Sequence, residues 1–221
     1  MKSATKKSRL LIHTVLILSA AFVLCFIGYN SMVRNGTNQS LTENQIAELR
    51  DEYPICGDSE LIKSIVDMRI PTMSELKEHV DTFVYGKVEG EMSSYSQYIS
   101  SGNPELDAKR NTNGRDDIFE FYEHTVSIIE DTSGIYKAGD QISIVSNKIF
   151  IDYNPHFSDG MKVVIPSALD KEVAGRVHYD VYGMYYVTED GYAISAFEEK
   201  RMMKKALSGI KVEKLLEELK K

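Results

Sequence analysis

Short runs in which apolar and polar residues alternate recur through the second half of the chain and predict β-strands. Val84 and Val88 fall on one face of the first run, and Pro166 is expected to end the fourth. Asp190 and Gly191, between the last two runs, form a strong signal for a hairpin turn. The predicted strands cover residues 81–88, 119–129, 141–145, 161–165, 182–187 and 192–197.

Helical patterns flank these strands. Ser40 and Glu43 match a capping box and predict a helix over residues 42–51. Further helices are expected from about residue 59 to Pro71 and over residues 74–79, and a charged helix over 198–221 with a break at Ser208–Gly209. Strands without βαβ alternation, with helices at both ends, predict a mainly β (α+β) fold, either a small antiparallel barrel or a rolled sheet.

The first 34 residues predict a membrane anchor. An uncharged run covers residues 10–29, is long enough to cross a bilayer as a helix, and follows four basic residues. Only Arg34 follows closely, so the positive-inside rule places the N-terminus in the cytoplasm and the rest outside. A cleaved signal peptide is the less favoured alternative, because the run is long and small residues do not follow it at a cleavage spacing.

These patterns divide the chain into consecutive segments. Residues 93–115 are polar and contain glycine, proline and asparagine, so we expect a long loop or a weak strand followed by a loop. The predicted segments are a basic cytoplasmic tail (1–9), a transmembrane anchor (10–29), a linker (30–40), a helical lead-in (41–79), a β-barrel domain (80–197) and a C-terminal helix (198–221).

Charge limits the partners of the external part. Beyond Arg34 there remain 21 of the 26 Lys and Arg residues and all 33 Asp and Glu residues, which gives a net charge of −12. Nucleic-acid binding needs a basic patch, so no nucleic-acid partner is expected. Cys56 is the one cysteine of this part, which excludes an internal disulfide and indicates a small buried hydrophobe.

A set of short motifs between residues 83 and 197 resembles a recurring extracytoplasmic β-barrel domain of Gram-positive bacteria. The residues that carry the resemblance are 84–88 (VYGKV), 134–140 (GIYKAGD), 142–144 (ISI), 160–164 (GMKVV), 184–187 (MYYV) and 191–192 (GY). Such domains follow lipoprotein signals or single membrane anchors, look OB-like and are mostly uncharacterised. The resemblance therefore implies an OB-like barrel outside the membrane and implies no catalytic residues.

The sequence contains fragments of several known catalytic and metal-binding patterns, and each of them is incomplete. Ser31 lies beside the predicted anchor, as in signal peptidases, but no matching lysine segment follows. Cys56 precedes every external histidine, unlike a sortase nucleophile. Residues 152–160 begin like a calcium loop and lack its glycine and glutamate. His79, His124, His156 and His178 are spread over different segments and are interpreted as surface or edge residues. We therefore predict no catalytic, cofactor-binding or metal-binding residues.

Three functional hypotheses follow. The favoured one is a single-pass membrane protein with a non-catalytic binding or scaffolding domain, whose partner is an envelope protein, the cell wall or a small ligand. Its expected binding surfaces are residues 93–115 and the tyrosine-rich hairpin. The alternatives are a membrane-anchored hydrolase and a C-terminal helix that docks on a partner. Burial of Leu215, Leu216 and Leu219 within the monomer would argue against the last of these.

Overall fold

The fold is mainly β. A computed structural model describes residues 40–57, 71–98, 102–112, 118–179, 181–198 and 207–220, and the chain divides into two compact units, Met1–Ser40 and Leu41–Lys221. The strands are β1 (Thr82–Tyr98), β2 (Ile118–Asp131), β3 (Gln141–Asn147), β4 (Lys162–Leu169), β5 (Arg176–Tyr179), β6 (Tyr185–Val187) and β7 (Ala193–Ser195). The helices are α1 (Glu43–Glu48), α2 (Met73–His79), α3 (Pro104–Thr112) and α4 (Val212–Lys220), with 3₁₀ turns at Leu49–Asp51 and Lys148–Phe150.

The seven strands form one mixed sheet that closes partly on itself. Its order is β1-β2-β3-β5-β4-β6-β7, and β1 also pairs with β4, so five strands form a ring of pairings. The expected all-antiparallel barrel is therefore wrong in one place, because β3 and β5 run parallel. After β3 the chain forms β4, which pairs with β1 and not with β3. The next strand, β5, pairs with both β4 and β3 and runs in the same direction as β3.

Most predicted strands are confirmed, with different ends. Val84 and Val88 are fully buried on the inner face of β1, as their spacing predicted. Pro166 does not end its strand but lies within β4, opposite Phe83. One edge of β4 pairs with β1. The other edge pairs with β6 up to Val164 and with β5 from Ser167 onward, so Pro166 lies in the gap between these two sets of hydrogen bonds. A proline without an N–H group is tolerated at such a gap.

The hairpin between β6 and β7 is confirmed, and so is the turn at its tip. The Thr188 N–H donates to the Tyr192 carbonyl at 2.9 Å, and the Gly191 N–H donates to the Thr188 carbonyl at the same distance. Gly191 has a φ of 77°, a value at which residues with a Cβ are strained.

The helices differ more from the predictions. The capping box of α1 uses Thr42 and Gln45 rather than Ser40 and Glu43, and Thr72 and Glu75 form a second box on α2. The break at Ser208–Gly209 is a turn, and the described C-terminal helix begins at Val212. Residues 93–115 do not form a simple loop, since 93–98 extend β1 and 104–112 form α3. The predicted anchor, its flanking tail and linker up to residue 39, and the helix expected before Pro71 lie outside the described residues.

Two apolar clusters hold the domain together. One fills the ring with the inward side chains of its strands, among them Val126, Ile128, Ile142, Ile144 and Val177. The other lies between the outer side of β4, β6 and β7 and helix α4. Leu215, Leu216 and Leu219 of α4 are 0 %, 1 % and 4 % exposed. The helix is therefore part of the monomer's core, and this burial argues against the hypothesis that its apolar face docks on a partner.

A long two-stranded arm extends from the ring. Residues Ser93–Tyr98 of β1 pair with Ile118–Glu123 of β2. Between the arm and the ring, Gly90, Glu91 and Met92 bulge out opposite His124, because Glu89 pairs with Thr125 and Ser93 with Glu123. A bulge of this kind bends the strand and re-aims its side chains, and it is common beside functional sites.

Candidate binding cleft

A small cavity lies where the inward face of the ring changes from apolar to polar. Along β2 the inward side chains are Ile128, Val126, His124 and Tyr122 in order, and along β3 Ile144 is followed by Ser146. Beside them Tyr179 follows Val177 on β5. The cavity has a volume of about 100 Å³. Its polar lining consists of Tyr122, His124, Ser146, Asn154, His156 and Tyr179.

The bulge in β1 and the segment after β3 shape the cavity. Met92 of the bulge and Ile151, Pro155 and Phe157 of the segment after β3 contribute its apolar lining. The Gly90 N–H donates to Asp159 Oδ1 at 2.7 Å, and this bond ties the bulge to the turn that precedes β4. The space beside His124 therefore exists because β1 departs from regular pairing at this residue.

His124 is the central polar group of the cavity. It is 8 % exposed, and its Nδ1 has no hydrogen-bond partner. Its ring lies edge-on to Phe157, with 5.0 Å between ring centroids. Burial lowers the pKa of His124, and the nearby His156 lowers it further, so the imidazole is neutral at pH 7. A neutral, buried nitrogen without a partner is costly, and a bound group that pairs with it would remove that cost.

The far side of the cavity contains a second polar pair. Burial raises the pKa of the Tyr179 hydroxyl, which is hydrogen-bonded to the Ser146 hydroxyl. Phe157 lies edge-on to Tyr179 as well, with 5.7 Å between ring centroids. Phe157 thus contacts both His124 and Tyr179. The cavity combines hydrogen-bonding groups with an apolar wall and contains no carboxylate, lysine or arginine among its lining residues.

A larger groove adjoins the cavity. It has a volume of about 300 Å³ and shares Ser146, Asn154 and Tyr179 with the cavity. Its other walls are mainly aromatic and aliphatic, formed by Phe121, Val145, Asn147, Phe150, Tyr153, His178 and Val181. Any ligand of extended shape that enters the small cavity therefore passes beside an apolar surface.

The root of the arm is rigidified next to this groove. Tyr95 stacks on Phe121 with 5.4 Å between ring centroids, and the Arg176 guanidinium lies 4.6 Å above the Tyr95 ring. Asp170 lies 3.9 Å from Arg176 and 3.6 Å from His178. Further along the arm, Tyr98, Ile118 and Phe119 are about half exposed (46 %, 54 % and 42 %).

A third hollow, of about 640 Å³, lies beside Tyr53 and carries acidic groups from Glu52, Asp159 and Glu189 together with Lys162. Burial raises the pKa of Tyr53 to about 12, helped by its hydrogen bond with Glu52. Asp159 is already engaged by the Gly90 N–H. These contacts give Glu52 and Asp159 structural roles.

The residues singled out in the sequence mostly do not meet in one place. His79, His156 and His178 are exposed, as expected, whereas His124 is buried, so its interpretation as a surface residue is wrong. The periodicity His124-Val126-Ile128 could have placed it on the inner face. Among the residues that the structure describes, no three His, Cys, Asp or Glu side chains are close enough to hold a metal ion. Ser31 lies outside the described residues.

Two other predicted features have clear positions. The Cys56 thiol lies 3.2 Å from the Tyr186 hydroxyl, and burial raises its pKa, so it is a protonated thiol at neutral pH. In the tyrosine-rich hairpin, Tyr185 and Tyr186 are fully buried, so these two side chains do not form part of an exposed surface. Residues 207–212 cover the hairpin through the hydrogen bonds Ala193 N–H to Ile210 carbonyl and Val212 N–H to Gly191 carbonyl.

Comparison with known protein families, with curated proteins and with solved structures finds no match to this chain.

Proposed function

We propose that the chain is a single-pass membrane protein whose extracytoplasmic, OB-like barrel binds a ligand, without catalysis, in the cavity beside His124. The observation that carries the binding role is His124, whose ring lines the cavity and whose buried Nδ1 has no hydrogen-bond partner. Folding normally pairs such atoms, and a group left unpaired inside a lined cavity suits a ligand that completes it.

The strand order supports the OB-like assignment. The pairings β1–β2, β2–β3, β3–β5, β5–β4 and β4–β1 form a five-stranded ring with one parallel pair. OB-folds are five-stranded, partly open barrels that bind ligands at their surface. In this chain the ligand site would lie at the polar end of the ring, between its strands and the 3₁₀ turn and loop after β3.

The anchor and the external location rest on the N-terminal sequence. Residues 10–29 form an uncharged run preceded by four basic residues. Within the described part of the chain, no helix is long and apolar enough to cross a bilayer. An acidic domain that is held outside the membrane suits an uncharged or basic partner from the cell envelope rather than nucleic acid.

A membrane-anchored hydrolase is the alternative, and the cleft geometry counts against it. A catalytic serine needs a base within hydrogen-bond reach. The Ser146 hydroxyl is instead bonded to Tyr179, while Nδ1 of His124 has no hydrogen-bond partner. The protonated Cys56 thiol pairs with Tyr186 rather than with a histidine. Binding therefore explains the contacts of this cleft better than nucleophilic catalysis does.

The topology can be tested in intact cells with tags at both ends of the full-length protein. We expect added protease to remove the C-terminal tag and to leave the N-terminal tag intact until the membrane is opened. The tagged protein should remain with the membrane after a high-salt wash. Protection of both tags, or recovery in the soluble fraction, would contradict the proposed location.

The ligand site can be tested by NMR of the histidine rings in the full-length protein in detergent micelles. Soluble fragments of the cell envelope, both peptide and glycan, serve as probes. We expect an active fragment to shift the ring signals of His124 and to leave those of His79 unchanged. A set of envelope fragments that shifts no His124 signal would count against this cavity as the binding site.

A further inference from the structure

The size of the His124 cavity limits what can enter it. A cavity of about 150 Å³ accepts one benzene ring, so a volume of about 100 Å³ suits a group smaller than a six-membered ring. A whole sugar ring or an aromatic side chain is too large. The cavity can therefore accept a short substituent, while the remainder of the ligand lies outside.

The lining indicates the chemistry of that substituent. The hydrogen-bonding groups include the neutral His124 imidazole, the Ser146 and Tyr179 hydroxyls and the Asn154 amide, and no carboxylate, lysine or arginine is among the lining residues. Burial of a charged substituent without a charged partner would be costly. Ile151, Pro155 and Phe157 supply apolar lining beside the polar groups. A group that combines an amide with a methyl can use both kinds of lining.

We propose that the cavity accepts the acetamido group of an N-acetylated glycan. This inference rests on the proposed binding function and names the ligand class of the same site. The amide would pair with the polar side chains of the lining, His124 among them, and the methyl group would contact the apolar side chains. A primary carboxamide from an asparagine or glutamine side chain ends in an NH₂ group and lacks the methyl contact, so the acetamido group fits better than these side chains do.

Surfaces around the cavity suit the rest of such a glycan. Tyr98 is exposed on the arm, and its cross-strand partner Ile118 is exposed on the same face as Tyr122, which lines the cavity. Aromatic and aliphatic side chains provide the flat, apolar contacts that sugar rings make. The net charge of −12 beyond Arg34 disfavours anionic polymers and does not disfavour a neutral glycan.

The test uses the full-length protein in micelles with N,N′,N″-triacetylchitotriose as the probe. Cellotriose is the matched ligand control, because it has the same backbone with a hydroxyl in place of each acetamido group. We expect the acetylated trimer to shift the His124 ring signals and to bind at least about tenfold more tightly than cellotriose, since a site built to pair with an amide rejects an analogue that lacks it.

The variants locate the effect. His124→Phe should abolish binding of the acetylated trimer, and Asn154→Ala, which leaves the inward row of the ring intact, should weaken it. His79→Gln alters an exposed histidine in the last turn of α2 and should bind as the parent does. Circular dichroism of each variant checks that it is folded, and Asn154→Ala carries the test if His124→Phe is not.

The outcomes separate this inference from the function on which it rests. Equal binding of both trimers would overturn the acetamido assignment, since general contact with sugar rings would then explain the affinity. Shifts of His124 with an envelope peptide but not with either trimer would overturn the glycan and keep the binding site. No shift of His124 with any of these probes would overturn both.

Discussion

The two sides of the domain are built in opposite ways. Beneath α4, apolar side chains from the helix, from β6 and from β7 fill the space, and Leu215 and Tyr185 are fully buried. At the polar end of the ring, a cavity remains, and the buried His124 has a nitrogen without a partner. A residue that packs among apolar groups lowers the energy of the folded state, whereas an unpaired polar atom raises it.

This difference separates stability from function. A domain of this size needs a well-filled core, and the α4 side and the apolar part of the ring supply it. At the His124 end, the side chains leave a cavity between them, and the Nδ1 atom of His124 has no hydrogen-bond partner. Such local losses cluster at binding sites, where a ligand restores them. Substitutions on the two sides should therefore have different consequences.

The largest effect is expected from Leu216→Ala. Leu216 is 1 % exposed and packs with Leu215 and Val212 in the outer cluster. Loss of its side chain leaves a cavity and should lower the free energy of unfolding by about 2–5 kcal/mol. Urea denaturation followed by circular dichroism measures the change, and Glu217→Ala on the exposed side of the same helix serves as control. A change below about 1 kcal/mol would show that α4 is not part of the core.

A smaller loss is expected from Asp131→Asn at the end of β2. Burial raises the pKa of the Asp131 carboxyl, but hydrogen bonds from the Thr82 hydroxyl, the Tyr136 N–H and the N–H and hydroxyl of Ser133 outweigh it and hold the pKa below 3.8. The charged form accepts these bonds, so the variant should lose about 1–3 kcal/mol at pH 7.

The loss of stability in Asp131→Asn should depend on pH. A carboxyl whose pKa is lower in the folded state contributes stability above its unfolded pKa of 3.8, and this contribution is lost as the pH falls through the folded value. The difference between parent and Asp131→Asn in urea denaturation should therefore shrink below pH 4. A difference that stays constant from pH 7 to pH 3 would mean that the charge of Asp131 does not matter.

The sequence predicts the strands of the ring well because their patterns are local. Alternation in β1 and β3 and the Asp190–Gly191 turn require only neighbouring residues, so their positions are confirmed. The parallel pairing of β3 with β5 and the position of Pro166 in β4 depend on which strands become neighbours in space. No pattern within a single strand contains that information.

The cavity depends on even more distant contacts. His124 could be assigned to the inward face from its spacing to Val126 and Ile128, but not to a cavity. The space beside it arises from a bulge at residues 90–92 and from the position of Phe157, which belong to segments far apart in the chain. The same holds for the hairpin tyrosines, which look like a surface patch in the sequence and are covered by residues 207–212.

The smallest change in stability is expected from His124→Phe. Phenylalanine keeps an aromatic ring, and the adjoining cavity can take its extra volume, so His124→Phe should unfold within about 1.5 kcal/mol of the parent at pH 7.5. The groups that face His124 are His156, Tyr122 and Tyr179, none of which is a carboxylate that could stabilise a protonated imidazole. Burial and His156 lower the pKa of His124 below 6.5, so the unfolded chain takes up a proton at a higher pH than the folded protein does. The parent should therefore lose stability as the pH falls from 6.5 to 5, and the variant should lose less.

Thermal denaturation at several pH values, with His79→Gln as control, measures this difference. The pH range concerned lies above the range in which Asp131 titrates. Identical pH profiles for the parent and His124→Phe would mean that the imidazole titrates freely and that the polar end of the ring is as open to solvent as the surface.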